Sequence, residues 1–284
     1  MAVSNSLVKK TQKAGITTFL NSMNVVSNID QALGKDNRQR FVTGVISAVN
    51  NNAALQECTN QSILSGALLG ESLKLSPSPQ LGHYYLVPFN DKVKGKVAQF
   101  QLGYKGYIQL AIRSGQYKKL NVLAIKEGEL EYFDPLNEEI KINLMVDKWD
   151  EREEAETIGY YAMFELVNGF KKAIYWSKKQ MEAHAIKYSQ GYKAKKGYTF
   201  WEKNFDGMAY KTMLRQLISK WGIMSIDLQN AFEHDMTFTD ESGTVNYVQA
   251  DDVIDSPTAD EKEETTEESD AESQSDVQSA LFGK

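Results

Sequence analysis

The sequence predicts an α+β fold in which helices pack on a mostly antiparallel β-sheet with hairpins. Three observations predict this class. Apolar residues recur at helical spacing up to about Leu73, and strand-like patterns begin at Gly82. Helical spacing then returns between Ser177 and Trp221. The 284 residues are 42% hydrophobic and 25% charged, which is the composition of a globular protein.

The N-terminal third is predicted to be helical after a polar arm. Residues 1–35 are weakly patterned, so we expect a flexible arm with a short helix around Thr17–Val26. Helices are expected at Arg38–Val49 and Asn60–Leu73, and the prolines at 77 and 79 stop the second one.

The middle of the chain is predicted to be mainly strands. Tyr104–Arg113 is predicted as a short helix that ends before Gly115. Asn168-Gly169 lies between two apolar runs and strongly indicates a hairpin. Residues 147–156 are highly charged and are expected to form an exposed loop. The expected strands are Gly82–Phe89, Val97–Gly103, Lys119–Lys126, Leu130–Phe133, Glu138–Leu144, Ile158–Val167 and Phe170–Trp176.

Two capping-box patterns predict the C-terminal helices. Ser177 with Gln180 opens a helix to about Tyr188, and Thr199 with Glu202 opens one long helix to about Trp221. A glycine- and lysine-rich loop, 189–197, joins them, and disorder is expected after about residue 240. The predicted organisation is an arm at 1–35, one domain for DNA binding and assembly at 36–239, and an acidic tail at 240–284.

The charge is distributed unevenly along the chain. The net charge is −6, yet residues 240–284 hold 14 acids and two bases, which leaves residues 1–239 at about +6. This asymmetry favours a nucleic-acid partner for the body and a solvated acidic tail. A charge of this size over 239 residues is also compatible with an ordinary protein surface.

Cysteine, histidine and hydropathy patterns narrow the function classes. Cys58 is the sole cysteine and His83, His184 and His234 are far apart, which argues against a disulfide and a zinc site. Cys58 lacks an electropositive setting and is expected to be a structural thiol. No apolar run approaches the ~18 residues of a membrane span, and no signal core follows the basic N-terminus. A cytoplasmic protein without membrane contact is therefore expected.

Basic residues interleaved with aromatics are the informative pattern. Single-stranded nucleic acids need cations for their phosphates and flat apolar faces for their bases. Three segments, at 103–113, 171–179 and 187–203, offer this mixture, and a predicted helix adds two cations four residues apart. The candidate DNA-binding residues are Tyr104, Lys105, Tyr107, Arg113, Lys171, Lys172, Lys178, Lys193, Lys195, Lys196, Trp201, Lys211 and Arg215.

Each candidate also has a structural interpretation. Tyr104, Tyr107 and Trp201 are equally typical of aromatic residues that pack in a core. The lysines at 193–196 could line a solvated loop, and Lys211 with Arg215 could form a solvated helix face.

A nuclease is one alternative function. Glu139-Ile140-Lys141 has the Glu-x-Lys form of some magnesium-dependent nucleases, for which Asp134 would be the acidic partner. The motif is short, and Asp134-Pro135 is typical of a turn. The phosphate-binding pattern Gly-x-x-x-x-Gly-Lys-Ser/Thr and a nucleophile elbow do not occur.

The central block resembles the RecT family of phage and prophage recombinases. The resemblance starts at Leu73-Lys74-Leu75 and continues through Leu81–Phe89 and Gly103-Tyr104-Lys105-Gly106 to Lys126-Glu127-Gly128. It includes the preceding helix from Glu57 and the later segments Lys178–Glu202 and Met208–Arg215, and covers roughly residues 40–230. In the family member compared, arginine stands in place of Lys105 and two arginines in place of Ile112-Arg113. Lysine keeps the charge at 105 but not a bidentate phosphate contact.

The resemblance implies an ATP-independent protein that binds single-stranded DNA and anneals it to a complementary strand during recombination. It also implies a small sheet-plus-helix core shared with other annealing proteins, assembly as rings or helical filaments on DNA, and action beside a partner exonuclease. Annealing makes no covalent bond, so no catalytic residue or cofactor is expected, and a modulation of DNA binding by Mg²⁺ stays open. The acidic tail is a candidate docking segment for the exonuclease or the host single-strand-binding protein. A non-catalytic scaffold whose basic face contacts an acidic protein is a further alternative.

Overall fold

The computed structural model describes residues 15–78, 80–91, 94–197, 199–239 and 245–247. It combines helices with three antiparallel sheets, which confirms the α+β class. The helices are α1 (Ile16–Leu20), α2 (Met23–Leu33), α3 (Lys35–Asn50), α4 (Ala53–Glu57), α5 (Asn60–Ser72), α6 (Tyr104–Arg113), α7 (Trp149–Glu154), α8 (Lys178–Tyr188), α9 (Gln190–Lys193), α10 (Phe200–Lys203), α11 (Phe205–Trp221) and α12 (Ile226–His234). The strands are β1 (Tyr84–Asp91), β2 (Gly95–Leu102), β3 (Tyr117–Lys126), β4 (Leu130–Asp134), β5 (Glu139–Ile142), β6 (Thr157–Leu166), β7 (Lys171–Ser177), β8 (Thr237–Thr239) and β9 (Val245–Tyr247).

The strands form sheets of four, three and two strands. Their orders are β1-β2-β8-β9, β3-β6-β7 and β4-β5. The β6–β7 hairpin turns at Asn168-Gly169 as predicted, because Gly169 adopts φ +87 and the Asn168 side chain accepts from the Phe170 amide. A register shift between Tyr117 and Lys119 interrupts the pairing of β3 with β6.

Helix α11 packs against both main cores through two faces. Leu214 and Ile218 belong to a core formed with α1–α6, β1, β2 and α12. Met213 and Leu217 belong to a second core formed with the β3-β6-β7 sheet, α8 and α10. Residues four apart share a side of a helix, and a shift of one residue turns it by about 100°, so the two pairs lie on different sides of α11. Helix α11 is therefore the element that joins the two halves of the fold.

Several predicted elements have the expected bounds and causes. Helix α6 spans Tyr104–Arg113 as predicted, and Gly115 follows it at φ +69. Both predicted capping boxes form, with Ser177 and Thr199 each accepting the amide three residues later.

Residues 15–35, predicted as an arm with a short helix around Thr17–Val26, are helical over most of their length in the structure. Helices α1 and α2 occupy this stretch, broken at Asn21-Ser22, and their apolar side chains are buried. Leu20 and Ile29 are fully enclosed in the first core. Residues 1–14 lie outside the described residues.

The C-terminal prediction needs a correction. The expected single helix from Thr199 to Trp221 is interrupted at Asn204, whose backbone is not helical and whose side chain caps α11 by accepting from the Gly207 amide at 3.0 Å. Helix α12 and strands β8 and β9 were not predicted, and neither were the short helices α4, α7 and α9. Because β9 lies at Val245–Tyr247, ordered structure extends past residue 240. The predicted disorder of 248–284 lies outside the described residues.

Candidate nucleic-acid interface

The glycines of Gly103-Tyr104-Lys105-Gly106 have a packing role. A methyl group on Gly103 would lie 2.1 Å from the Gly82 carbonyl oxygen, and one on Gly106 would lie 2.1 Å from the His83 carbonyl oxygen. The Gly103 amide donates to His83 O at 2.9 Å. The first turn of α6 is thus pressed against the chain that enters β1, which fixes the position of Lys105.

Lys105 is exposed and lies beside an aromatic pair. A methyl group on Gly82 would lie 3.0 Å from the Tyr85 hydroxyl and 3.4 Å from Lys105 Cδ, so both side chains converge there. The ring of Tyr85 lies 6.0 Å from that of Phe200, the first residue of α10. These contacts connect the 103–113 segment with the 187–203 segment.

A lysine loop directly precedes Phe200. Lys193, Lys195 and Lys196 are exposed and make no ion pair within the described part of the chain. Glu202 shapes this loop, since its Oε1 accepts from the Gly197 amide at 2.9 Å and its Oε2 from the Thr199 amide at 3.0 Å. The acid next to the lysines is therefore used in backbone capping.

We call Tyr85, Lys105, Lys193, Lys195, Lys196 and Phe200 the platform face. A cavity of about 470 Å³ adjoins it, between α4, β1 and α10, and its lining includes Tyr85, Phe200 and Lys203. The platform face combines exposed cations with partly exposed rings, which is the arrangement that a single strand requires.

Arg113 lies on the same helix as Lys105 but has a structural contact. Its Nη2 donates to the Leu73 carbonyl at 2.7 Å, next to the last turn of α5. Burial lowers the pKa of His83, and the charges of Arg113 and Lys105 lower it further, so this imidazole is neutral near pH 7. Arg113 stays exposed beside the platform face while it caps α5.

Lys211 and Arg215 converge on one buried carboxylate, which sequence reasoning missed. Asp235 Oδ1 accepts from Lys211 Nζ at 3.0 Å and from the Leu102 amide at 2.9 Å. Its Oδ2 accepts from Arg215 Nη1 at 2.7 Å and from the Tyr107 hydroxyl at 3.0 Å. We call these residues the Asp235 cluster. Lys211 and Arg215 do share one face of α11, as their spacing predicts, but that face points to the interior of the protein.

Burial governs the protonation of the Asp235 cluster. Lys211 is 5% exposed, and burial lowers its pKa although Asp235 opposes the shift. Burial raises the pKa of Tyr107 well above its ordinary value, so the hydroxyl stays neutral and can donate. Although burial opposes it, Tyr107 and Asp235 raise the pKa of Arg215. Two cations thus face one carboxylate, and only Arg215 retains partial exposure, at 37% of its side chain.

The candidate aromatics of this region belong to the cores. Tyr107 is fully buried, and Tyr104 packs edge-on against Tyr210 at 5.5 Å. Trp201 is buried against Phe205, with ring centroids 5.1 Å apart. For Tyr107 and Trp201 the burial supports the core interpretation over direct stacking on bases.

The second basic segment is divided between the two ends of β7. Lys178 pairs with Glu156 at 3.0 Å, whereas Lys171 lies near Glu165 at 3.6 Å. Seven residues of extended strand place these lysines roughly 20 Å apart. Lys172 is buried, with its ammonium group 3.7 Å from the Trp221 ring centroid. The structure therefore does not gather the three lysines into one channel with Lys105.

The residues of the nuclease interpretation make structural contacts in and around the β4–β5 hairpin. Asp134 Oδ1 accepts from the Leu136 amide at 2.8 Å, and Lys141 pairs with Glu131 at 2.5 Å. Glu129 is fully buried and binds Arg152 Nε at 2.6 Å. Across the described ranges, no group of three or more histidine, cysteine, aspartate or glutamate side chains is placed to hold a metal ion.

Sequence reasoning missed Tyr85, Phe200 and Asp235. Phe200 lies inside the predicted segment 187–203, so its position beside Trp201 was a usable signal, whereas Tyr85 lies 18 residues before the segment 103–113. No usable signal pointed to Asp235, because it is 133 residues from Leu102 and lies in a short acidic stretch. As a separate finding, no helix among the described residues is long and apolar enough to cross a membrane.

Comparison with known proteins places the chain in a family. The sequence model of the RecT family matches residues 39–271. The uncharacterized protein YqaK of Bacillus subtilis (strain 168) is 38% identical over 262 residues, which cover 90% of this chain and 86% of that protein. Protein RecT of Escherichia coli (strain K12) is 28% identical over 229 residues, which cover 79% and 81%. On this match of most of its length, the chain belongs to the RecT family.

Proposed function

We propose that this protein binds single-stranded DNA and anneals complementary strands during recombination, without ATP and as an oligomer. Membership of the RecT family, over residues 39–271, is the observation that carries the proposal. The family implies single-strand annealing, and the resemblance noted in the sequence supports ATP independence and assembly.

The platform face is the proposed strand-binding surface. Lys105, Lys193, Lys195 and Lys196 are exposed; Lys105 converges with Tyr85 at Gly82, and the lysine loop directly precedes Phe200 in the chain. Cations on this surface would neutralise phosphates, and partly exposed rings would support bases without reading their sequence. Base edges that point away from the protein would stay free to pair.

The remaining candidates take different places in this proposal. Arg113 lies at the margin of the platform face and is partly used in an internal contact, whereas Lys178 pairs with Glu156 and is not part of that face. Lys211 and Arg215 hold the Asp235 cluster together and so support α6, which carries Lys105. Charge reversal at Arg215 would disturb the fold, so Lys105 is the better residue for a test of DNA contact.

The proposal assigns no bond-breaking chemistry and no required cofactor. Annealing needs only that the nascent duplex is held more tightly than either separate strand. The acidic tail is proposed to contact a protein partner, an exonuclease or a single-strand-binding protein, by its charge. Mg²⁺ is not assigned a role in the proposal and is only varied in the assays.

A mixing assay tests the function. Two complementary labelled oligonucleotides are combined with protein, with and without ATP and Mg²⁺. We expect duplex formation without ATP, and a Lys105→Glu variant of unchanged thermal stability should anneal more slowly than a Lys35→Glu control on α3. Degradation that requires Mg²⁺ would instead support a nuclease, and neither reaction would support a scaffold.

A further inference from the structure

One end of the β3-β6-β7 sheet carries an acidic and apolar surface. Residues 144–156 contain six acids against two bases, Lys148 and Arg152. Val146 and Trp149 are 63% and 55% exposed within this acidic stretch. Exposed large apolar side chains among like charges are typical of a surface that binds a partner. We call residues 144–156 the acidic end.

The acidic end is held rigidly on the sheet. Arg152 Nε donates to the buried Glu129 carboxylate at 2.6 Å, and its Nη2 donates to the Ala124 carbonyl at 2.9 Å. The Glu127 amide donates to the Glu156 carbonyl at 2.9 Å. These contacts tie α7 to the ends of β3 and β4, so the surface exists before any partner binds.

The opposite end of the same sheet is basic and apolar. Glu165 is buried and lies 2.6 Å from Lys118, 3.8 Å from Lys119 and 3.6 Å from Lys171. The shift in strand register beside Lys118 lets two consecutive lysines reach one carboxylate. Three largely exposed ammonium groups against one acid leave an excess of two positive charges.

Apolar side chains accompany these lysines. Val167 and Phe170 flank the turn of the β6–β7 hairpin and are 60% and 44% exposed. The Phe170 ring lies 6.0 Å from Phe164, which anchors it to the second core. We call Lys118, Lys119, Lys171, Val167 and Phe170 the basic end.

The two ends are complementary and face away from each other. The acidic end adjoins Thr157 and the basic end surrounds Glu165, which extended geometry places roughly 25 Å apart along β6. We propose that the acidic end of one copy docks on the basic end of the next copy. A contact between unlike surfaces on opposite sides of a subunit is heterologous, and its repetition gives rings or open helical assemblies.

This inference rests on the oligomeric action proposed above and identifies the surfaces that would produce it. Opposite charges steer the two ends together and disfavour like ends. Burial of Trp149 and Phe170 then adds the hydrophobic contribution that an exposed ion pair lacks. The platform face has separate residues, so docked copies would leave Lys105 and the lysine loop open to DNA.

Charge reversal at each end provides the test. Variant A carries Asp147→Lys, Asp150→Lys and Glu154→Lys on the acidic end, which changes the net charge of residues 144–156 from −4 to +2. Variant B carries Lys119→Glu and Lys171→Glu on the basic end. Variant B leaves the 2.6 Å Lys118–Glu165 pair in place. Lys35→Glu with Arg40→Glu on α3 is the matched control, because it also reverses two cations and removes one exposed ion pair, with Glu71. Molar mass is measured by light scattering, with and without a single-stranded oligonucleotide.

We expect the wild type and the control to assemble, and variants A and B to remain at the monomer mass of 32.0 kDa. Mixing A and B at equal concentration should restore assembly, because each reversed end then meets the opposite charge on the other variant. An unfolded protein could not be rescued in this way. The milder Lys119→Gln with Lys171→Gln should raise the concentration needed for assembly at least several-fold.

Several outcomes would overturn the proposal. The wild type could be monomeric both with and without the oligonucleotide, or the control could fail to assemble. Variant A or variant B could assemble without the other, or the mixture of the two could stay monomeric. Variant B that assembles normally but binds single strands weakly would assign the basic end to DNA. Assembly is read without annealing, so a protein that assembles as described but does not anneal would refute the proposed function alone.

Discussion

Removal of the lysine-loop charges should weaken single-strand binding in a salt-dependent way. The perturbation is Lys193→Gln, Lys195→Asn and Lys196→Gln in one protein. Lys195 has φ +51, which asparagine tolerates better than most residues, so the turn should persist. Glu202 shapes the loop through the backbone amides of Gly197 and Thr199, and the substitutions leave those contacts in place.

The magnitude follows from counterion release. Each phosphate contact on a single strand contributes about −0.7 to the slope of log affinity against log salt concentration. Three lost contacts should make the slope shallower by about 2. Between 1 M and 0.1 M salt the same contacts contribute about two log units, so affinity at 0.1 M should fall roughly 100-fold.

Fluorescence anisotropy with a labelled oligonucleotide, repeated at several salt concentrations, measures both quantities. The matched control removes three exposed cations elsewhere, with Lys35→Gln, Arg40→Gln and Lys220→Gln, and should change the slope little. A triple variant of native thermal stability whose salt slope equals that of the wild type would refute the platform face as the phosphate-binding surface.

Three further predictions concern the stability of the fold. Gly106→Ala should cost about 1–3 kcal/mol of unfolding free energy in urea titrations, since its methyl group would lie 2.1 Å from His83 O. Arg152→Met should cost about 3–5 kcal/mol in the same titrations, because it leaves the Glu129 carboxylate buried without its cation. Burial raises the pKa of Tyr117 to about 12, so the native state holds a proton that the unfolded chain loses near pH 10. The unfolding free energy should therefore fall as pH rises from about 10 to 12. The Tyr117→Phe variant should show a shallower dependence of unfolding free energy on pH, by an amount that corresponds to at most one bound proton.

Each of these predictions has a control. Gly44→Ala on α3 should not destabilise the protein, since its methyl group would meet a neighbour only at 3.4 Å and alanine favours helix. Glu129→Gln combined with Arg152→Met should recover part of the loss, and equal costs for the single and double variants would argue against an unpaired buried charge. A Tyr117→Phe slope equal to that of the wild type would contradict the assignment of the pH effect to Tyr117.

The acid side of the stability profile involves Glu129. Burial alone favours a raised pKa for this carboxyl, but hydrogen bonds from Arg152 and from the amides of Lys126 and Met145 outweigh it and hold the pKa below its ordinary value. Its contribution to stability is thus present above the ordinary carboxyl range and is lost as pH falls through the lowered pKa.

Local sequence signals predicted much of the fold. Helix α6, both capping boxes and the Asn168-Gly169 hairpin depend on residues close together in the chain, and the sequence therefore determines them locally. The break at Asn204 was not predicted, because the apolar spacing continues through it while the side chain caps the next helix. Strand β8 was missed because its pairing partner, Phe100, is far away in the chain.

The site was less predictable than the fold. Lys105 and the lysine loop are exposed as their polarity indicates, and the Tyr85–Phe200 contact links the segments that carry them. Lys211 looks from its spacing like a residue on a charged helix face, yet it is buried because Asp235 supplies a partner 24 residues later. Charge and periodicity describe which residues share a helix face, but they do not describe what packs against that face.

The Asp235 carboxylate also limits when the newly made chain can finish folding. Leu102 is translated 133 residues before the acid that binds its amide. At synthesis rates of 5–20 residues per second, this delay is on the order of ten seconds. Until Asp235 emerges from the ribosome, Lys211 and Arg215 lack their shared counterion. A protein truncated before this position should therefore be prone to aggregation and proteolysis, even though it would retain every lysine of the platform face.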